Sequence, residues 1–246
     1  MYITTWMLGI LVAFGAYGSS FITLEGKKTS VNFNDGDTFK ILDGELQGKR
    51  ARIHGLNALE SYGPVHEWGK ASSSYLYTIS QEATQVAQDG HWNCTLEKSH
   101  DTYGRLLARC DDLARSLLSM GLAHAYSVDA QPASKNYRSH QTKAQKAEAG
   151  MWKYGVPDYI LTSLHSADEG AHKTYDRAIS TLDGSSRLIK HDKNRTTCEK
   201  VCIDMGSSCM VFVPFNQRYG SNKPECLKVR EINGYNVRSA KARGKK

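Results

Sequence analysis

Across its first 24 residues the chain carries no charged side chain, and Trp6 to Phe14 reads Trp-Met-Leu-Gly-Ile-Leu-Val-Ala-Phe. That apolar run has the length of a signal-peptide core. Lys and Arg are missing ahead of it, so only the terminal amine supplies a positive end, while Ala16-Tyr17-Gly18 before Ser19 offers small residues for cleavage. Residues 1–18 are read as a signal peptide, with an uncleaved anchor or a buried first helix or strand as alternatives. The expected location is secreted or periplasmic, with no membrane association after cleavage. Other absences narrow the chemistry. His54, His66 and His124 show no H-E-x-x-H spacing, so no zinc or histidine-based site is assigned to them. Asp35-Gly36-Asp37 lacks the further acids and closing Glu of a helix-loop-helix calcium loop. No internal repeat is visible.

Six cysteines are present, an even number that in an exported chain points to disulfides. Cys94 and Cys110 flank two strand-like segments, His91 to Lys98 and Arg105 to Cys110, joined by the polar turn Ser99 to Gly104. An antiparallel hairpin would bring this pair within bridging distance. Cys198, Cys202, Cys209 and Cys226 lie further along; four cysteines permit three pairings, and a four-cysteine zinc site competes with them. The absence of paired C-x-x-C knuckles weighs against zinc.

A chain of 246 residues with 40% hydrophobic content can build a core and has room for one average domain plus a smaller one. A net charge of +7 favours encounter with polyanions but identifies none. Val31 to Leu42 and Lys49 to Leu56 alternate apolar and polar residues across Asp43-Gly44 and read as paired strands. Trp68 to Ala87, the stretch from Leu113 to Leu122, and Tyr137 to Trp152 have helical spacing. Residues 155–190 read as a linker with some helix around Tyr175 to Leu182. Residues 191–237 read as a cysteine-rich subdomain, with Cys198 and Cys202 on one helix face and Val211 to Phe215 as a buried strand; residues 238–246 form a basic tail.

Three stretches carry chemistry: Asp35-Gly36-Asp37-Thr38, then Arg52 to Glu60, then Asp101-Thr102-Tyr103-Gly104-Arg105. Acids, an amide and two arginines in this order suit phosphoryl chemistry, which asks for charge neutralisation at phosphate and a carboxylate near the attacking water. Singly, each stretch also reads as a turn or a solvated loop.

The order of these motifs, followed by Gly121-Leu122-Ala123, resembles the thermonuclease family typified by staphylococcal nuclease, over residues 31–154. The resemblance implies an α+β fold, a five-stranded OB-fold β-barrel with three helices, here followed by a small disulfide-rich C-terminal region. It also implies calcium-dependent hydrolysis of DNA and RNA, with no stable protein partner. Asp37 then matches a direct calcium ligand, Asp35 a weaker one, and Ala58 a ligand through its carbonyl. Arg52 and Arg105 match the phosphate-gripping arginines, and Glu60 the carboxylate that orients or activates water. Tyr103 is a candidate for stacking on a base, and Tyr126 is a weaker candidate for substrate contact, with packing at the end of the helix containing Gly121-Leu122-Ala123 as its simpler reading. Asn57 departs from the pattern, where the family usually has Asp. An amide oxygen can coordinate calcium but adds no charge, and Leu59 replaces a proline, so metal affinity and rate are the properties put in question. A catalytically weak or inactive nucleic-acid-binding barrel is the alternative function.

Overall fold

The computed structural model describes residues 20–63, 65–170, 175–203, 208–219 and 221–228. The expected signal peptide and the basic tail fall outside them. Strands β1 (Ser20–Leu24), β2 (Lys27–Asp35), β3 (Thr38–Ile41) and β4 (Arg50–Ile53) form an antiparallel meander. Its period-2 pattern turns Val31, Phe33, Phe39, Ile41, Ala51 and Ile53 into the core. Two short strands follow, β5 (Leu56–Ala58) and β6 (Val65–Glu67), then helix α1 (Ser73–Asp89). The hairpin β7 (Asn93–His100) and β8 (Leu106–Arg109) completes the barrel, in the order β1-β2-β3-β4-β8-β7. Closure comes from parallel pairing of Thr23 and Leu24 with Asn93 and Cys94. Closing the sheet leaves it no open edge.

The barrel thus has six strands where five were expected. The difference lies in Ser20–Leu24, which folds back on β2 through a tight turn at Glu25-Gly26. The predicted strand Val31 to Leu42 is likewise two strands, broken at Gly36-Asp37.

Helix α1 starts at Ser73, later than the period suggested. Ser72 caps it, its hydroxyl accepting from the Tyr75 amide at 3.3 Å, while Trp68 pairs with Ala71 in an isolated bridge. Helix α2 (Asp111–Ser119) carries Asp111 and Asp112 in its first turn, where the helix dipole favours them, and buries Leu113, Leu117 and Leu118. The chain then leaves helix: Ala123–Ala125 is strand β9, paired with β5, so the helix expected to hold Gly121-Leu122-Ala123 ends before them. Helix α3 (Lys135–Lys146) stops short of the predicted Trp152, with a single 3-10 turn at Gly150–Trp152.

Residues 155–190 are not a linker with helix. They hold β10 (Tyr159–Ser163), β11 (Tyr175–Ser180) and β12 (Ser186–Lys190), a three-stranded antiparallel sheet. Strands β13 (Lys200–Cys202) and β14 (Cys209–Val211) form a further hairpin. Cys198 and Cys202 therefore share no helix face. All six cysteines are bridged, as Cys94–Cys110, Cys198–Cys226 and Cys202–Cys209, which confirms the first pairing and removes the zinc alternative.

The cysteine-rich segment is not detached from the barrel. Strand β14 pairs with β6, Val211 opposite Val65 and Cys209 opposite Glu67, and Val65, Val213 and Leu227 bury one another. This docking fixes the chain after Val211 beside the loop between β5 and β6. Among the described residues, no helix is long and apolar enough to cross a membrane.

Candidate active site

One end of the barrel gathers the motif residues. Gly36 lets the β2–β3 turn approach α1, since a Cβ there would lie 2.8 Å from the Ala83 Cβ and 3.1 Å from that of Ala58. The turn presents Asp37 inward, 1% exposed. Its Oδ1 accepts from Arg52 Nη1 and from Thr38 Oγ1 at 2.9 Å, and its Oδ2 accepts from the Ala58 amide at 2.6 Å. Asp35 supports the turn by accepting from the Asp37 amide at 3.1 Å.

Arg52 sits on β4 opposite Thr38, and its second arm reaches β5, donating from Nη2 to Asn57 Oδ1 at 2.7 Å and to the Leu56 carbonyl at 3.3 Å. Burial alone works against its charge, but Asp37, Asp35 and Glu60 outweigh that and strengthen its hold on the proton. Asn57 in turn donates through Nδ2 to the Ala58 carbonyl at 2.9 Å and lies 3.2 Å from His124 Nε2, its cross-strand neighbour on β9. Burial keeps His124 neutral, with its pKa lowered to about 4. Its Nδ1 faces the Ala125 carbonyl at 3.1 Å, which assigns the proton to Nδ1 and leaves Nε2 to accept from Asn57.

Glu60 lies two residues beyond β5. Burial first, and the charge of Asp37 second, raise its pKa, against the pull of Arg52, Arg218 and Arg105. Asp35 is raised well above the usual range, by burial and then by Asp37 and Glu60. Arg105 ends the β7–β8 turn and is held by Asp101, which accepts from its Nε at 2.6 Å and its amide at 2.9 Å. Burial opposes the ionised Asp101, yet these bonds and that from the Tyr103 amide lower its pKa. Arg105 Nη1 also reaches Thr38 Oγ1 at 3.4 Å, which ties the second arginine to the residue next to Asp37.

Tyr103 is 71% exposed, with its ring 5.5 Å from the Arg105 guanidinium carbon. Tyr126 follows a strand rather than a helix; its amide donates to the Gly55 carbonyl at 2.9 Å, and the residue is close enough to Arg52 to act on its charge. Asp101 and His124 had been given no role by sequence reasoning. Asp101 lies within the Asp101-Thr102-Tyr103-Gly104-Arg105 motif, whereas nothing in the sequence pairs His124 with Asn57.

As a cation site the donors are all oxygens: the carboxylates of Asp35, Asp37 and Glu60, the Asn57 amide oxygen and the Ala58 carbonyl. That is the ligand type a hard divalent ion takes. Burial first, and repulsion from neighbouring acids second, raise Asp35 and Glu60, and such a charge would relieve the repulsion. Among the described residues, however, no three His, Cys, Asp or Glu side chains already converge as a metal cage. Asp37, Asn57 and Ala58 instead spend their oxygens on Arg52 and on one another.

A closed barrel that brings two guanidinium groups and buried acids to one end has equipment suited to phosphodiester chemistry. Residues 50–154 match the family described as Staphylococcal nuclease homologue, in agreement with the thermonuclease-like resemblance of the motifs. The family implies an OB-fold and, at the level of class, a nuclease-type hydrolase acting on nucleic acid. The match begins at Arg50, after Asp37, but the barrel returns Asp37 to Arg52. A comparison with curated proteins found no match.

Proposed function

We propose that the chain is an exported, calcium-dependent nuclease that hydrolyses phosphodiester bonds of DNA and RNA with little sequence preference. The observation that carries this reading is the convergence of Asp37, Arg52 and Asn57 in one hydrogen-bonded unit, with Glu60 and Arg105 at the same barrel end. Simple strand binding asks for cations and aromatics, not for buried acids.

Arg52 and Arg105 grip the phosphate and stabilise the charge that builds on its oxygens. Each is pre-aimed, Arg52 by Asp37 and Arg105 by Asp101. Glu60, ionised, accepts a proton from the attacking water or orients it. Asp37, Asn57 Oδ1 and the Ala58 carbonyl, with Asp35 behind them, would hold calcium, which when bound neutralises phosphate charge and acidifies nearby water. Contacts to phosphate and aromatic stacking carry no base identity, which favours broad sequence tolerance. Three disulfides favour an oxidising compartment.

A second reading, a binding barrel of weak or no activity, is favoured by one observation. The Asn57 amide group covers the Ala58 carbonyl and leaves the cation site one charge poorer than an aspartate would. The test is cleavage of single-stranded and duplex DNA and of RNA by the purified mature chain, titrating calcium against EGTA, with Glu60→Gln and Arg105→Ala alongside. Calcium-dependent cutting that falls about 100-fold or more in both variants is expected. Binding without cutting at any calcium concentration would overturn the nuclease in favour of the binding barrel.

A further inference from the structure

The β14–β6 pairing carries the cysteine-rich extension to the rim of the candidate active site. Its 3-10 turn, Phe215–Gln217, and the two residues that follow lie over the loop just after Glu60. A Cβ placed on Gly63 would lie 2.9 Å from Cδ of Arg218, so the Arg218 stem rests on backbone three residues beyond Glu60. Arg218 Nε donates to the Val213 carbonyl at 2.9 Å, which anchors the stem and leaves the outer guanidinium nitrogens as further donors. The charge acts on the Glu60 carboxyl in the same sense as Arg52 and Arg105.

One aromatic ring lies over this cation, and two more continue from that ring. Tyr219 stands 6.2 Å from Tyr62, on the barrel loop, and 5.8 Å from Phe215, while the Arg218 guanidinium lies 5.9 Å from the Phe215 ring. Tyr62, Phe215 and Tyr219 are 47%, 67% and 53% exposed, a contiguous surface of large rings where a folded chain ordinarily buries such groups. Burial first, and the charge of Glu60 second, raise the pKa of the Tyr219 phenol, whose ring packs against Tyr62, two residues beyond Glu60. Leu227 under the segment and the Cys198–Cys226 bridge fasten it in place.

We infer that this extension is part of the substrate-binding face: Arg218 contacts a phosphate next to the one being cleaved, and Tyr62, Phe215 and Tyr219 stack unpaired bases of a single-stranded nucleic acid. The inference rests on the nuclease reading for its choice of substrate. Charge complementarity and continuity with the site select a polyanion over an apolar partner. The ring faces select single strands, because a duplex keeps its bases stacked on each other.

The experiment measures binding with cleavage suppressed. A labelled single-stranded oligonucleotide and its duplex are titrated by fluorescence anisotropy, in calcium, into the full chain carrying Glu60→Gln, over a series of salt concentrations. The added variants are Arg218→Ala and the double variant Phe215→Ala/Tyr219→Ala, whose exposed rings are dispensable for folding; circular dichroism checks that. The double variant is expected to lose about tenfold or more in single-strand affinity and less than about twofold on duplex. Arg218→Ala is expected to flatten the logarithmic salt slope on the single strand by about 0.7, one phosphate contact. Unchanged single-strand affinity and slope, or equal losses on duplex, would overturn the inference. So would a parent chain with no measurable single-strand binding, which would assign the aromatic surface to a different partner. A chain that binds in this way but never cuts would defeat the nuclease reading alone.

Discussion

Asn57 and His124 face each other across β5 and β9, the amide nitrogen 3.2 Å from a ring nitrogen that can only accept. A neutral histidine with its proton on Nδ1 needs a donor opposite Nε2, and an amide supplies one where a carboxylate would not. The same Nδ2 group bonds the Ala58 carbonyl, so Asn57 holds the loop before Glu60 in shape. The asparagine that weakens the cation site therefore has a local structural reason.

Asn57→Asp should separate these two effects. The new carboxylate keeps its partner Arg52 but turns acceptors toward the Ala58 carbonyl and the His124 lone pair. Without calcium the variant should lose about 1–3 kcal/mol of stability, and with calcium it should bind the ion roughly tenfold more tightly. Thermal melts with and without calcium, with calorimetric titration of the ion, measure both. An unchanged calcium affinity would remove Asn57 from the ligand set.

Arg52 links β4, the Asp37 turn and β5 with one guanidinium, its side chain 14% exposed against 2% for the side chain of its acid. Arg52→Met leaves Asp37 buried without its cation. The expected cost is about 3–5 kcal/mol in urea unfolding, and Arg52→Lys should recover part of it but not the fork to Asn57. Cleavage by the lysine variant should fall about 100-fold or more, because one ammonium cannot hold both partners and a phosphate. Near-normal cleavage by Arg52→Lys would mean that the fork is structural only.

Asp101 presets Arg105, and its acid constant gives the arrangement a pH signature. Its folded pKa is lowered below the ordinary value of 3.8, so the stability it contributes is present above that value and is lost as pH falls through the folded one. Asp101→Asn should cost about 1–2 kcal/mol at pH 6, after allowance for partial exposure, and the gap from the parent should close as the pH is lowered past 3.8. Urea unfolding at stepped pH tests this. In cleavage assays the variant should lower kcat more than it raises KM, since Arg105 remains but is no longer aimed at the charge that builds in the transition state.

Much of the barrel was legible because Val31, Phe33, Phe39 and Ile41 alternate with polar residues and face one core. The sheet of β10 to β12 was not. In β11 the buried run includes Asp176, a charge that a period-based reading places outside, and its partner Arg195, bonded at 2.5 Å, is distant in sequence. Helix ends slipped where local turns and caps decided them, as at Trp68, whose bridge to Ala71 keeps it out of α1, which starts at the Ser72 cap. Within the site, Asp37, Arg52, Glu60 and Arg105 could be picked out by order and spacing. His124 and Arg218 could not, since each reaches the site through strand pairings, β5 with β9 and β6 with β14, that no local pattern announces.

Those pairings also divide the labour of the disulfides. Cys94–Cys110 closes a separation of 16 residues around the β7–β8 hairpin that carries Arg105, and it joins β7 to the start of α2. Its loss by Cys94→Ala/Cys110→Ala should cost about 3 kcal/mol through a less restricted unfolded chain, seen as a fall in Tm of about 6–12 °C. Cys198–Cys226 spans a separation of 28 residues and pins only the extension. Removing it should loosen the segment holding Arg218 while the barrel still melts cooperatively at close to the parent temperature. Hydrogen exchange would then show protection lost in residues 198–227 and kept in β2 to β4. If both removals lowered the barrel's melting temperature equally, the extension would be part of the barrel's own folding unit, and its contact with the Glu60 loop would be a structural requirement of that unit.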